Sequence, residues 1–239
     1  MENLPPLEFD EMRLRERLAG LSADRQMAFV ASCCERAAAT YLEFAHLAYL
    51  DAEMVRLVQQ CLELTWKACL DMTAGVSERS LANELWHLSR ADPDPAVPLS
   101  RYALNCVAVV YFAADFQLTG ALESASECGR WIYNALDSLV SDQSGMTGGT
   151  ADEWKRLEAD PIIQRELRKQ EADLTLLEKV SELDAAFLEL LRADSQRIGG
   201  LMLRDSETYA QTQLETGPPK RLWPKDPTET DIRDDERLE

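Results

Sequence analysis

Apolar and polar positions along this chain recur at helical spacing, and no segment of useful length alternates as a half-buried strand would. The stretch 101–119 is the most apolar, because it lacks glycine and proline and confines its few polar residues to one narrow stripe. A helix of this kind is normally enclosed by other helices. We therefore predict an all-α protein, a compact bundle of about seven to eight helices around a buried helix at 101–119.

The neighbouring segments supply apolar faces for such a bundle. A long helix that begins after Ser22 repeats apolar residues at steps of three and four, and Ser100 is a plausible cap for the central helix. Thr150 and Glu153 have the spacing of a capping box, which predicts the start of a short helix. Asp160-Pro161 combines a cap with a proline suited to the first helical position. The pattern that follows continues to about 197 without a glycine or proline, so it predicts one unbroken helix that packs like a coiled-coil strand. Such a helix could also join two copies of the chain.

The character of the sequence changes at the glycine pair 199–200. We predict a helical domain over 9–198 and an irregular, proline-rich, charged extension over 199–239. Within that extension, Pro218–Lys225 forms a small basic and aromatic island. Lys220, Arg221 and Trp223 are therefore candidate partner-binding residues.

Charge and cysteine content limit the class of protein. Lys and Arg number 25 against 43 Asp and Glu, a net charge of −18, which disfavours nucleic acid and anionic membranes and favours a protein partner with a basic surface. The amino terminus lacks a secretory pattern, and the stretch 101–119 is too short and too interrupted for a bilayer span. The six cysteines lie inside helical patterns without any C-x-x-C, as expected of buried thiols in a reducing cytoplasm.

Two Glu-x-x-His steps are the sharpest candidate for metal chemistry. Glu43 with His46, and Glu84 with His87, use both histidines of the chain, and helical di-metal sites combine such pairs with further glutamates. A third predicted helix, which begins near residue 51, contains Glu53 and Glu63, and either could be the additional glutamate. However, both steps lie off the apolar faces of their helices, which favours solvent-exposed pairs, and we expect no bound metal and no cofactor.

Three polar residues lie on or beside the predicted core. We interpret Glu35 and Arg36 as parts of interhelical ion pairs that fix the packing of the long helix, with a partner-binding or buried-acid role as the alternative. Asn105 on the central helix is expected to satisfy the backbone of a neighbouring helix rather than to line a pocket.

Short runs in the first part of the chain carry a family resemblance. They are residues 17–22 (RLAGLS), 26–29 (QMAF), 34–36 (CER) and 41–44 (YLEF). With Trp66, the proline loop at 92–98 and the run 160–164 in the same order, the chain resembles the YjaG-like family of bacterial domains of unknown function over roughly residues 9–197. The family pattern tends to carry Asp where this chain has Asn105. The resemblance implies a compact all-α fold and brings no catalytic residue with it.

No catalytic constellation stands out, so the sequence favours a cytoplasmic protein that works by binding and is not an enzyme. The most concrete hypothesis is an immunity-type or antitoxin-like protein whose acidic surface neutralises a basic toxin or effector domain. The alternatives are a helical di-metal enzyme that uses the two Glu-x-x-His steps, and a homo-oligomeric scaffold.

Overall fold

Nine α-helices and one short 3₁₀ turn (Met72–Ala74) form the structure, a computed structural model that describes residues 5–47, 52–74, 79–89, 99–145 and 150–216. Within these ranges there is no β-strand, which confirms the all-α prediction. The helices are α1 (Glu11–Ala19), α2 (Ala23–Leu47), α3 (Ala52–Ala68), α4 (Arg79–Ser89), α5 (Ser100–Thr119), α6 (Leu122–Ser144), α7 (Ala151–Glu158), α8 (Pro161–Lys179) and α9 (Ala185–Thr216).

Helix α5 is the predicted central helix, and it packs against α2, α3, α4 and α6. With 20 residues it is long and apolar enough to cross a bilayer, so the prediction that it is too short was wrong. More than half of its residues are buried against the other helices of the same chain, as in the core helix of a bundle. The residue before the first turn of α5 is Leu99, which has a positive φ of 68° and makes no side-chain cap. Ser100 was predicted to be the cap, but it is the first residue of the helix.

Helix α2 forms the other half of the core. The predicted core positions Cys33, Ala37 and Tyr41 are buried, but so is every residue from 27 to 38, so the middle of α2 is enclosed on all sides and not only on one apolar face. Helix α9 runs alongside it in the same direction, since Arg25 reaches the carbonyl oxygen of Val180 at 2.7 Å and later residues of each helix meet in turn. Helix α8 runs antiparallel to both.

The prediction of one unbroken helix from 161 to about 197 was wrong. Helix α8 ends at Lys179, and α9 begins at Ala185 after a short link. Asp184 starts the second helix, because its Oδ1 accepts a hydrogen bond of 2.8 Å from the Phe187 backbone N–H. The coiled-coil pattern predicted for this segment includes Leu176 and Leu190 among its apolar positions, and these two side chains are 50% and 73% exposed. The homo-oligomer hypothesis stays a prediction, and the long carboxyl-terminal helix through which it would act is α9, with 32 residues.

The predicted start of the irregular extension also needs correction. Helix α9 continues through Gly199 and Gly200 to Thr216, and Met202, Ser206 and Tyr209 are buried. Residues 199–216 therefore belong to the helical body. The remainder of the predicted extension, 217–239, lies outside the described residues.

Other local predictions were confirmed. Thr150 and Glu153 form a reciprocal capping box at the start of α7. Asp160 caps α8, where its side chain accepts from the Ile162 N–H and Pro161 occupies the first turn.

Candidate functional site

Two of the four predicted metal ligands have side chains that the structure describes. Glu84 and His87 lie on α4, and both side chains are exposed to solvent, as their positions off the apolar face predicted. The side chains of Glu43 and His46 lie outside the described residues. The described half of the candidate metal site therefore consists of Glu84 and His87 on the surface of α4.

The additional glutamates considered for that site have other partners. Glu63 forms an ion pair with Arg192 of α9, and Glu53 Oε1 lies 3.1 Å from Arg56 Nη2. Across the described part of the chain, no three His, Cys, Asp or Glu side chains gather as metal ligands.

Arg36 is fully buried on α2 and meets two carboxylates of α8. It forms a bidentate pair with Glu166, with Nε to Oε2 at 2.9 Å and Nη2 to Oε1 at 2.7 Å, and Nη1 lies 3.1 Å from Asp173 Oδ2. Burial alone would lower the pKa of the guanidinium, but the nearby negative charges, Glu166 foremost, outweigh that effect and raise the pKa. Arg36 is therefore held in its charged form.

The same cluster extends to α9. Lys169 Nζ lies 2.6 Å from Asp173 Oδ1 and 2.7 Å from Asp194 Oδ2. Ser32 Oγ donates to Asp173 Oδ2 at 2.7 Å and lies 2.7 Å from Ser195 Oγ. These contacts define a buried polar cluster that joins α2, α8 and α9, called here the Arg36 network: Ser32, Arg36, Glu166, Lys169, Asp173 and Ser195.

The Arg36 network is balanced in charge and hydrogen-bonded throughout. It contains two bases and two acids, and each charged side chain has a partner of opposite sign at 3.1 Å or less. Among the described residues, Ser32 has an aspartate beside it but no histidine, so it lacks the histidine base of a Ser-His pair. The arrangement supports the interpretation of Arg36 as a residue that fixes helix packing.

Glu35, the neighbour of Arg36, points to a different cluster. Its Oε2 accepts from Trp66 Nε1 at 2.5 Å and from Arg192 Nε at 3.1 Å, while Oε1 accepts from Gln196 Nε2 at 2.9 Å. The Arg192 guanidinium also lies 5.6 Å from the centroid of the Trp66 ring, within cation–π distance. Glu35 therefore has an arginine partner, as predicted, and it links α2, α3 and α9.

Asn105 also has the structural role that was predicted. Its Nδ2 donates to the Asn134 carbonyl oxygen at 3.2 Å and to Ser138 Oγ at 3.1 Å, both on α6. These bonds fix the register of α5 and α6.

All six cysteines are buried and free, as their positions in the helical pattern predicted. Burial raises the pKa of Cys33 and Cys61 to about 12 and raises the pKa of Cys34 and Cys128 as well. Since the thiolate is the reactive form, these thiols are poor nucleophiles near neutral pH.

A row of aromatic side chains on three helices was not predicted from the sequence. The ring centroids of Trp86 (α4) and Tyr111 (α5) lie 4.9 Å apart, those of Tyr111 and Phe112 4.8 Å, and those of Phe112 and Trp131 (α6) 6.3 Å. All four side chains are partly exposed. We call these four residues the aromatic row. Helical spacing could not reveal it, because Trp86 and Trp131 come from different helices than Tyr111 and Phe112.

Asp115 lies about one turn after Tyr111 and Phe112 on α5. One of its oxygens, Oδ2, accepts from Ser124 Oγ at 2.5 Å, and within the described residues the carboxylate forms no ion pair. Burial and the charge of Asp115 raise the pKa of Tyr111, against the opposing effect of Arg79 on α4. Asp115 thus places a negative charge beside the rings.

The carboxyl-terminal candidates remain predictions. Lys220, Arg221 and Trp223 lie outside the described residues.

These features define an all-α bundle whose buried polar groups serve helix packing. The chain belongs to the family described as protein of unknown function (DUF416), whose family model matches residues 13–200. That match begins in α1 and ends within α9 at the glycine pair, so it contains the whole Arg36 network.

One solved structure supports the same fold. The chain is similar to a DUF416 family protein from Shewanella baltica OS155, with a TM-score of 0.65 and 17% sequence identity over 76% of this chain and 92% of that one. At this identity the likeness concerns the fold alone. No curated protein matches the chain.

Proposed function

We propose that this protein is a non-enzymatic binding protein whose acidic surface engages a protein partner with a basic surface. The observation that carries the proposal is the location of its charge. Among the described residues, the buried charged side chains are three acids and two bases, Glu35, Arg36, Glu166, Lys169 and Asp173. The interior therefore takes up almost none of the net charge of −18, which remains for the surface.

A surface with this excess of one sign attracts a partner of the opposite sign and speeds their encounter. Several exposed acids also lack a cation to neutralise them: Glu84, Glu182, Glu189 and Glu207 form no ion pair within the described residues. A rigid helical body loses little conformational freedom on binding, which favours tight association.

The concrete form of the proposal is an immunity-type or antitoxin-like protein that covers the working surface of a basic toxin or effector domain. Such a protein needs no catalytic group, only complementary charge and a few anchoring side chains. We propose that it acts in the cytoplasm, where its six buried thiols would stay reduced. Within the family, we infer that it groups with the YjaG-like members on the basis of its runs at 17–22 and 34–36.

Affinity capture tests the proposal. Tagged full-length protein would be exposed to its native cytosol at about 50 mM and about 300 mM salt, because exposed charge pairs weaken as the Debye length shortens. The expected result is one dominant basic protein in stoichiometric amount, retained less well at the higher salt. A captured set without any basic protein, or capture indifferent to salt, would contradict the proposal.

A matched pair of variants makes the test specific to charge. The Glu→Gln change at positions 84, 182, 189 and 207 removes four exposed negative charges, and Glu→Asp at the same positions keeps them. We expect the Gln variant to bind the purified partner several-fold more slowly and the Asp variant to resemble the wild type. Elemental analysis of the same preparation checks the di-metal alternative, which requires bound iron or manganese near one or two equivalents.

A further inference from the structure

Residues 5–9 precede α1 without helical structure and lie across α8; we call this segment the strap. Gln164 of α8 holds the strap by its backbone. The Gln164 Oε1 accepts from the Leu7 N–H at 2.8 Å, and Nε2 donates to the Leu7 carbonyl oxygen at 2.7 Å. Nε2 also donates to the Glu158 carbonyl oxygen at 2.7 Å, which fixes the amide in place. Because both contacts with the strap are to the main chain, this amide can hold an extended segment of any sequence.

Two apolar side chains of the strap complete the contact. The Phe9 ring stacks on the Tyr133 ring of α6, with centroids 4.9 Å apart and planes inclined by 14°. Leu7 packs against the core from the same segment. These two residues are separated by one, so in an extended segment they point to the same side. Main-chain hydrogen bonds, together with apolar side chains at alternate positions, are the means by which grooves recognise extended peptides.

The strap does not fill its groove. A cavity of about 60 Å³ remains between the strap, α1 and α8, and its apolar lining includes Leu7, Phe9, Leu14, Leu167 and Leu174. Arg13 and Arg17, which also border the cavity, pair with Glu171 of α8. Side chains around a void lose the dispersion contacts that a filled interior provides. A bulkier segment would therefore make more contacts in this groove than the strap does.

The charge of the strap is also unfavourable at this place. Glu8 stands between Leu7 and Phe9, and it lies near enough to Glu158 of α7 that burial and, next, the charge of Glu8 raise the pKa of Glu158. Burial, followed by the charges of Asp137 and Glu158, raises the pKa of Tyr133 to about 12. Acidic groups therefore gather around the ring on which Phe9 stacks. A basic residue in place of Glu8 would turn this repulsion into attraction.

We propose that the strap occupies a groove that, in the complex, receives an extended segment of the basic partner, in which one Lys or Arg separates an apolar residue from an aromatic one. The inference rests on the proposed function and names a contact surface within it. The position of the strap shows which main-chain and ring contacts such a segment makes. Charge complementarity with Glu158 and Asp137, and the unfilled volume, favour the partner segment over the strap.

Labelled peptides test the groove on the full-length chain. One peptide has the sequence of residues 1–10 (MENLPPLEFD), and the second carries the change Glu8→Lys. Binding is followed by fluorescence anisotropy at about 50 mM salt. The proteins are the wild type, Phe9→Ala, which weakens the strap, and Phe9→Ala combined with Gln164→Leu, which removes the amide and keeps a side chain of similar size.

The strap competes with any added peptide, because it is present at a high effective concentration within the same molecule. We therefore expect Phe9→Ala to bind the peptides at least about tenfold more tightly than the wild type. The Glu8→Lys peptide should bind about fivefold more tightly than the unchanged peptide. Addition of Gln164→Leu should weaken binding about tenfold relative to Phe9→Ala alone, since two hydrogen bonds to the peptide backbone are lost.

Controls separate the groove from general effects. Leu190→Ala removes an apolar side chain that is 73% exposed on α9, and it should bind both peptides as the wild type does, within about twofold. A scrambled form of the Glu8→Lys peptide, with the same charge, should bind Phe9→Ala at least about fivefold more weakly. Circular dichroism and thermal unfolding verify that each variant is folded. If Phe9→Ala is unstable, Leu7→Ala weakens the strap at its other apolar contact and carries the same comparison.

The outcomes separate this inference from the proposed function. If neither peptide binds Phe9→Ala below about 1 mM, or if Gln164→Leu leaves binding unchanged, the groove is not a contact surface. If the unchanged peptide binds as tightly as the Glu8→Lys peptide, a basic segment is the wrong occupant. Capture of a basic protein without peptide binding overturns the groove alone. Peptide binding without a captured basic protein overturns the proposed function and, with it, the basic partner as the occupant.

Discussion

Gly199 of α9 lies directly against the backbone of Arg36 in α2. A Cβ atom at position 199 would be 3.2 Å from both the Cα and the carbonyl oxygen of Arg36, and 3.5 Å from Ala39 Cβ. At Gly200, the next residue of the same helix, a Cβ would meet nothing within 4 Å. The glycine pair suggested the end of the helical body, but its first member instead allows α2 and α9 to approach closely.

This difference predicts opposite effects for the same substitution at adjacent positions. Gly200→Ala should stabilise the protein by up to about 1 kcal/mol, because alanine is the better helix former and the site is open. Gly199→Ala should destabilise it by about 1 kcal/mol or more, since the added methyl must push two helix backbones apart. Urea unfolding followed by circular dichroism measures both. Stabilisation by both substitutions would show that the α2–α9 contact is not tight.

The Arg36 network predicts a large loss of stability when one charge is removed. Arg36→Met would leave the buried carboxylate of Glu166 without its arginine partner and would leave Asp173 with Lys169 as its cation, at a cost of about 3–5 kcal/mol. The exposed pair Arg56–Glu53 provides the control, because Arg56→Ala should cost no more than about 1 kcal/mol. Equilibrium unfolding in urea gives both values. A loss below about 1 kcal/mol for Arg36→Met would mean that water or other groups replace the guanidinium.

Local signals explain why so much of the fold could be predicted. Asp160 before Pro161, and Thr150 three residues before Glu153, each satisfy free backbone N–H groups at a helix start, and such signals act over one turn. The burial of α5 followed from its composition, because an apolar helix has no surface suited to water. These are properties of a single segment, and the structure confirms them.

Features that depend on several segments could not be predicted in the same way. The charged residues of α8 that enter the core, Glu166, Lys169 and Asp173, recur at steps of three and four, and such a charged stripe usually faces solvent. Its burial depends on Arg36, 130 residues away in sequence from Glu166. The aromatic row likewise arises only when α4, α5 and α6 assemble.

The break between α8 and α9 was missed because neither glycine nor proline marks it. Asp184 was the available signal, since an aspartate at a helix start can accept from the N–H three residues later, as it does from Phe187 at 2.8 Å. Asp184→Ala should therefore cost about 0.5–2 kcal/mol, and Asp184→Asn, which keeps an acceptor oxygen, should cost much less. Thermal unfolding of the two variants distinguishes them. Equal stabilities would indicate that packing, without the cap, sets the start of α9.

The buried thiols predict a loss of stability at alkaline pH. The pKa of Cys33 and Cys61 is raised from 9.0 to about 12 by burial, so above pH 9 the unfolded chain releases these protons while the folded chain keeps them. The unfolded state then binds fewer protons, and the free energy of unfolding falls as pH rises from 9 toward 12, by up to about 1.4 kcal/mol per pH unit for each thiol. Urea unfolding at pH 8, 9 and 10 measures the slope before most tyrosines and lysines ionise. Cys61→Ala should be less stable at every pH, but its free energy of unfolding should fall less steeply with pH, by the contribution of one thiol. Equal slopes for the two proteins, or a wild type whose stability does not change over this range, would mean that the thiols are already ionised or accessible in the folded protein.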